Sequence, residues 1–243
     1  MTRPSRSRLI EAGSHRPPTW PVYGERQWRR ATLLLLLSGS ALPSLVALVV
    51  GEPIGGSWWG HPRGGDIYRL YNDLADQPQV LLVKLVSGKV TFVHRRLWPA
   101  VIAVGQSRER WQLDDLSEAA VALLRLVDDS GQLTWDDMPP LLPPDARSPT
   151  ASVKVLERRL LIQASEVHTP TGAHAKNLQT WSAWARTVGT APPFPDVVSA
   201  RQQLEAALED LNERHAARAR LPWYAPSAAR RARKPESPGL IKV

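Results

Sequence analysis

The sequence predicts an α+β chain, and three patterns predict it. A β-rich run, Val80 to Val86, meets a returning run, Val90 to Val93, across the two-residue hairpin signal Ser87-Gly88. Ahead of this hairpin Ile67, Leu70, Tyr71 and Leu74 recur at the spacing of one helix face. A second strand–turn–strand pattern, Leu161 to His168 and Ala173 to Trp181 around Thr169-Pro170-Thr171-Gly172, follows further helical segments.

Composition bounds the rest. At 243 residues and 43% apolar content the chain is long enough for one large domain or two small ones with a real core. The absence of cysteine excludes a disulfide framework, a zinc finger and a thiol nucleophile, and it fits a reducing compartment. The formal charge of +8 points to a polyanion, nucleic acid or an anionic membrane face. That charge is unevenly spread. Residues 1–30 hold seven arginines against Glu11 and Glu25, net +5, and residues 211–243 hold eight cations against Glu213 and Glu236, net +6. The body between them is therefore at −3. Residues 1–24 and 221–243 are rich in Pro and Arg and poor in apolar residues, so both are expected to be disordered basic arms. Arms of this kind attract polyanions through counterion release, without sequence preference.

Ala31 to Val50 is apolar and follows Arg29-Arg30, the look of a membrane anchor with a positive flank. Ser38-Gly39-Ser40 and Pro43-Ser44 cut it into pieces of about ten residues, each too short to span. The expectation is an N-terminal helical pair in the core, with one helix over 25–37, a turn at 38–40, and a second helix entered at Pro43. The loop after it carries Trp58-Trp59-Gly60-His61-Pro62. These rings either stack on a base beside His61 and Arg63 or plug the gap between helix and hairpin. Asp66 is the expected cap of the helix over Ile67–Leu74, and Pro99 starts another through Val104. Residues 25–115 thus form a helical pair with a helix/β-hairpin module.

Residues 116–186 repeat the theme. Ser117 caps a helix with Val121, Leu124 and Val127 on its buried stripe, ending near Gly131, and Leu133-Thr134-Trp135 is a short strand. Asp136 to Pro144 is too proline-rich for a long helix. Ser148-Pro149 starts the next, whose Val153, Leu156 and Leu160 face inward, before the hairpin at 161–181. Helix, strand, short helix, basic helix and two-stranded wing is the order of a winged helix-turn-helix, in which a helix enters the major groove and the wing touches backbone. Charge follows the same division: residues 116–146 are at −5 and residues 147–186 at +4. The expected DNA contacts are Arg147, Lys154, Arg158, Arg159, Lys176 and His174, joined by Lys84, Lys89, Arg95 and Arg96 of the first hairpin. A winged helix used for protein contacts is the alternative.

Little else suggests chemistry. His168, His174 and Glu166 on an exposed hairpin make a poor metal cage, and no phosphate-binding glycine loop or metalloprotease motif occurs. Paired acids such as Asp128-Asp129 read as caps and solvated turns. A C-terminal helix over 195–220, capped by Asp196, carries Leu204, Leu208 and Leu211 on one side, either to pack on the body or to pair with a copy of itself.

The order Leu42-Pro43-Ser44-Leu45, then Lys84 to Val93, then Leu97-Trp98-Pro99-Ala100, then a winged helix resembles the winged-helix proteins related to the AlkZ/YcaQ DNA glycosylases, over about residues 25–185. The resemblance implies tandem winged-helix modules around a concave nucleic-acid surface. Enzymes of that family attack the glycosidic carbon with water held by a Gln-apolar-Gln or Gln-apolar-Asp pair. Gln112-Leu113-Asp114 has this spelling but lies before the last module, not in the N-terminal part, and Gln163-Ala164-Ser165 departs at its third position. The expectation is a non-enzymatic relative that binds duplex DNA in repair or regulation. It would sit in the bacterial cytoplasm on the nucleoid, without metal, cofactor or membrane. A glycosylase-like enzyme and a protein-interaction module are the alternatives.

Overall fold

The computed structural model describes residues 32–37, 41–134, 149–168 and 174–224. The predicted arm 1–24, the wing turn at 169–172 and Arg147 lie outside them. The described residues form an α+β fold of eight α-helices and two three-stranded antiparallel sheets. The first unit holds β1 (Leu33–Leu35), α1 (Leu45–Val50), α2 (Gly64–Ala75), β2 (Val80–Val86), β3 (Lys89–His94) and α3 (Trp98–Gln106). A short helix, α4 (Arg110–Leu113), leads to the second unit. This comprises α5 (Glu118–Ser130), β4 (Gln132–Thr134), α6 (Pro149–Arg158), β5 (Gln163–His168), β6 (His174–Gln179) and α7 (Trp181–Thr187). Helix α8 (Val197–Arg214) and a 3-10 turn at Pro222–Tyr224 complete the described chain. No helix among the described residues is long and apolar enough to cross a membrane.

Both sheets have the same strand order, β1-β3-β2 and β4-β6-β5, so a lone strand pairs with the second strand of a later hairpin. Each hairpin is followed by a helix that opens on tryptophan, Trp98 after a 3-10 turn at Arg95–Leu97 and Trp181 after the cap residue Thr180.

Several local expectations hold for the reasons that motivated them. Ser117 caps α5 by accepting from Ala120 N at 3.2 Å, and Asp196 caps α8 by accepting from Val198 N and Ser199 N at 3.0 Å, whereas α1, expected to be entered at Pro43, starts at Leu45 with Ser44 as its cap. Ser87 and Gly88 take positive φ of 51° and 68°, the pairing a tight hairpin turn requires. A bulge lies between Val83 and Val86, where buried Thr91 accepts from Val86 N at 3.1 Å and donates to Lys89 O at 3.0 Å.

Five expectations are corrected. The helix expected over 25–37 is not continued at its C-terminal end, where Leu33–Leu35 form strand β1 and pair with β3 through Leu33↔Val93, Leu34↔Phe92 and Leu35↔Thr91; residues 25–31 lie outside the described residues. All three leucines are buried, and pairing that covers both faces of the strand outweighs leucine's helix preference. Among the described residues the expected N-terminal helical pair is one strand, β1, and one helix, α1. Helix α2 begins at Gly64, so Asp66 stands inside its first turn and pairs with Arg63 at 2.7 Å and with Arg69. These guanidinium contacts, Arg63 foremost, hold its carboxyl below the usual range. The strand expected to run to Trp181 ends at Gln179, because Thr180 caps α7 by accepting from Ala183 N at 3.2 Å. Helix α8 stops at Arg214 rather than near Arg220, and residues 215–221 form a strap. Asn212 stops the helix by bracketing Ala219, accepting from its N at 2.9 Å and donating to its O at 3.0 Å. Residues 221–224, expected within a disordered tail, are ordered, and Leu221 is buried.

The main core lies between the first sheet and the helices α3, α7 and α8. Helix α3 is buried along almost its whole length, and the stripe Ala200, Leu204, Leu208 and Leu211 of α8 packs against it. That stripe, one of whose two expected uses was self-pairing, is spent inside the chain. Trp181 locks the units together. Its indole lies on Gly105 of α3, where a β-carbon would fall 2.3 Å from the ring, and its Nε1 donates to Leu160 O at 2.7 Å. A separate core of Leu123, Leu124, Val127, Leu133, Val153, Leu156 and Leu178 holds α5 and α6 on the second sheet.

Candidate nucleic-acid interface

Helix α6 turns Val153 and Leu156 into the core of the second unit and leaves Lys154 and Arg158 exposed, four residues apart on one face. Between these faces Glu157 reaches both sheets. One carboxylate oxygen pairs with Lys84 of β2 and the other lies 3.5 Å from Lys176 of β6. Burial pushes the Lys84 ammonium below the usual lysine range, against the opposing pull of Glu157. Two of the expected DNA contacts are therefore tied to one carboxylate, leaving a local charge of +1.

Arg158 crosses to the first sheet. Its Nε lies 3.6 Å from where a β-carbon on Gly88 would be, so the side chain runs along the β2–β3 turn. Lys89, next in the chain, is exposed at that turn. Three segments, the β2–β3 hairpin, α6 and β6, thus bring Lys84, Lys89, Arg158 and Lys176 together, with Lys154 a helical turn away on α6.

The remaining candidates fall elsewhere. Arg159 points behind α6, where its guanidinium donates to the carbonyls of Gln112, at 3.2 Å, and Asp114, closing the end of α4. Arg95 and Arg96 are exposed at the opposite end of β3, about 20 Å from the turn at 3.3 Å per residue. Arg95 lies 5.9 Å from the centre of the Trp98 ring. His174 stands in β6 opposite His168 of β5, and the side chains of both are outside the described residues, as is Arg147.

One cation escaped the sequence. Ser87 N donates to Arg220 O at 2.7 Å, and Arg220 N donates to Ser87 Oγ at 3.2 Å, so the strap after α8 passes the same turn. No local pattern announces a contact made across 133 positions of sequence. Among the described residues Lys89, Lys154, Arg158 and Arg220 take part in no ion pair. Lys84 and Lys176 share the carboxylate of Glu157, while Arg158 runs along the turn that Lys89 follows and to which the Arg220 backbone is bonded.

Other motifs have structural uses. Gln112 is fully buried, its Oε1 accepting from Glu109 N at 2.8 Å and Ser107 Oγ at 3.0 Å, its Nε2 donating to Arg159 O at 3.0 Å. With Glu109 it forms the capping box of α4, and no part of its amide faces solvent to orient a water. Trp58 is buried and His61 Nδ1 accepts from Arg63 N at 3.1 Å, so this loop mainly packs. Trp59 is 69% exposed, stacked on Trp58 at 4.2 Å and 5.9 Å from Tyr68. An open cleft of about 700 Å³ between α3, α5 and α7 is lined by Arg108 and Arg186 against Asp128 and Asp129, a balanced charge that selects no ion. No group of three or more His, Asp or Glu among the described residues is placed to hold a metal ion.

No family model matches this chain, and neither the curated proteins nor the solved structures contain a significant match to it.

Proposed function

We propose that this chain binds duplex DNA without chemistry of its own, through a winged-helix unit made of α5, β4, α6, β5 and β6. The observation that carries the reading is the α6–hairpin junction, where Lys84 and Lys176 share the Glu157 carboxylate and Arg158 runs along the turn that Lys89 follows. The strand order β4-β6-β5, with α6 directly before the hairpin, is the order a winged helix needs. The first unit, with order β1-β3-β2 and α2 before its hairpin, supports a tandem pair.

In this reading α6 lies in the major groove with Lys154 and Arg158 toward the DNA, and Lys89 meets the flanking backbone. Lys84 and Lys176 contribute through the field of their partly neutralised triad. Arg159, which holds α4, is a structural residue. The sequence balance of −5 over residues 116–146 against +4 over residues 147–186 supports an orientation of the unit toward the polyanion. A glycosylase-like reaction has no support in the position of Gln112.

Fluorescence anisotropy of a labelled duplex with the full chain tests this at about 50 and 200 mM salt. Affinity is expected to fall steeply with salt, and charge reversal at Lys154 and Arg158 together to weaken binding at least tenfold. Absence of binding at the lower salt, or affinity indifferent to that reversal, overturns the proposal.

A further inference from the structure

We infer that the strap after α8 is a working part of the interface and that Arg220 is a phosphate contact. This rests on the DNA-binding reading above and adds a residue from a segment that reading does not include.

Three consecutive residues of the strap are anchored without using a charged side chain. The backbone of Ala219 is bracketed by the Asn212 amide, with bonds of 2.9 and 3.0 Å. The backbone of Arg220 is paired in both directions with Ser87, at 2.7 and 3.2 Å. Leu221 is buried in the main core, 1% exposed. Backbone groups and one leucine hold the strap, and the Arg220 side chain is left exposed with no carboxylate partner among the described residues.

The place where it is held matters. Arg220 is fastened to Ser87, Arg158 lies along Gly88, and Lys89 follows. Three cations drawn from α6, the β2–β3 turn and the strap converge on three successive residues of a hairpin turn. Holding like charges together costs free energy that the fold gains nothing from locally, and a bound phosphodiester offsets it by accepting from all three. A rigid turn beside a groove-binding helix is a natural seat for one backbone strand of a duplex. Ligand and strap then meet at a position fixed by Asn212 and Ser87.

The test measures the slope of log affinity against log salt for the full chain and a labelled duplex. Each lost phosphate contact lowers that slope by about 0.9. Arg220→Ala is expected to lower it by this amount while leaving thermal stability intact, because the docking bonds are backbone bonds. Arg220→Lys restores the slope. Asn212→Ala, which frees the strap without changing net charge, lowers it in the same way. Arg214→Ala removes an equal charge from α8, where Arg214 is paired with Asp210, and is expected to leave the slope unchanged. If Arg158→Ala lowers the slope and Arg220→Ala behaves like Arg214→Ala, the strap inference falls and the DNA-binding reading stands. If neither Arg158→Ala nor Arg220→Ala has an effect, both fall together.

Discussion

The first sheet buries apolar side chains on both faces, while the second, with the same strand order, buries them on only one. In the first, Leu33, Leu81 and Val93 face the core of α3, α7 and α8, and Leu34, Val80 and Phe92 face α1 and α2. In the second, Leu133, Ala164 and Leu178 face α5 and α6. Its other face carries two polar rows in register across three strands: Gln132, Gln179 and Gln163, then Thr134, Asn177 and Ser165. Gln179 donates to Gln132 at 3.1 Å, while Gln163 Oε1 and Asn177 Oδ1 are buried with no partner among the described residues. One topology thus serves as a two-sided core layer in one unit and a one-sided support in the other. Topology fixes where strands go, and burial chemistry decides what each sheet can be used for.

The largest effect is expected where the two units join. Trp181→Ala removes the ring that fills the space over Gly105 and a buried hydrogen bond to Leu160, and should cost about 3–5 kcal/mol. Calorimetry should show one transition at a much lower Tm. Two separate transitions, with the second unit's unchanged, would show that the units are energetically independent. Gly105→Ala attacks the same contact from the other side and should cost about 1–3 kcal/mol by overpacking, despite alanine's better helix propensity. A stability gain would mean that the ring shifts freely.

The next comparison sets the two sheets against each other. Thr91→Val in the first sheet leaves the buried Val86 N–H without its acceptor and should destabilise by about 1–3 kcal/mol in urea titrations. Asn177→Leu in the second sheet removes an acceptor that has no partner among the described residues, so the expected change lies within about 1 kcal/mol of zero, in either direction. Equal losses at both positions would erase the contrast between the sheets.

The smallest effect concerns pH. Burial lowers the Lys84 pKa in the folded chain relative to the unfolded chain, so between those two values the unfolded state binds the extra proton. Stability contributed by this group therefore rises as pH climbs through the lowered value and levels off above the ordinary lysine range. Lys84→Met should remove that alkaline rise in denaturation curves measured from neutral to high pH. A rise that persists in the variant assigns it to another group.

Legibility in the sequence followed the same contrast. The β2–β3 hairpin was plain because β-branched residues flank a two-residue turn with Gly88. The caps at Ser117 and Asp196 were plain because the bonds they make are local. Strand β1 was misread because three leucines buried on both faces show no period that separates strand from helix. The charge at the candidate site was half legible. Lys154 and Arg158 declared themselves by helical spacing, whereas Arg159, one residue on, serves α4 and not the surface. Lys84 and Lys176 could be found as cations but not as partners of Glu157, since that triad joins three elements. Arg220 lay in a segment whose helical end was drawn six residues too far.

The bond pair between Ser87 and Arg220 also sets an order of events. The hairpin turn can form from neighbours in the chain, but its cover comes from 133 positions downstream. Contacts of that span are the slowest to close, because the loop entropy must be met before the contact stabilises anything. During synthesis the turn and α6 leave the ribosome well before the strap does. Full electrostatic competence of this surface therefore arrives only once the strap, 133 positions after the turn, has been made and docked.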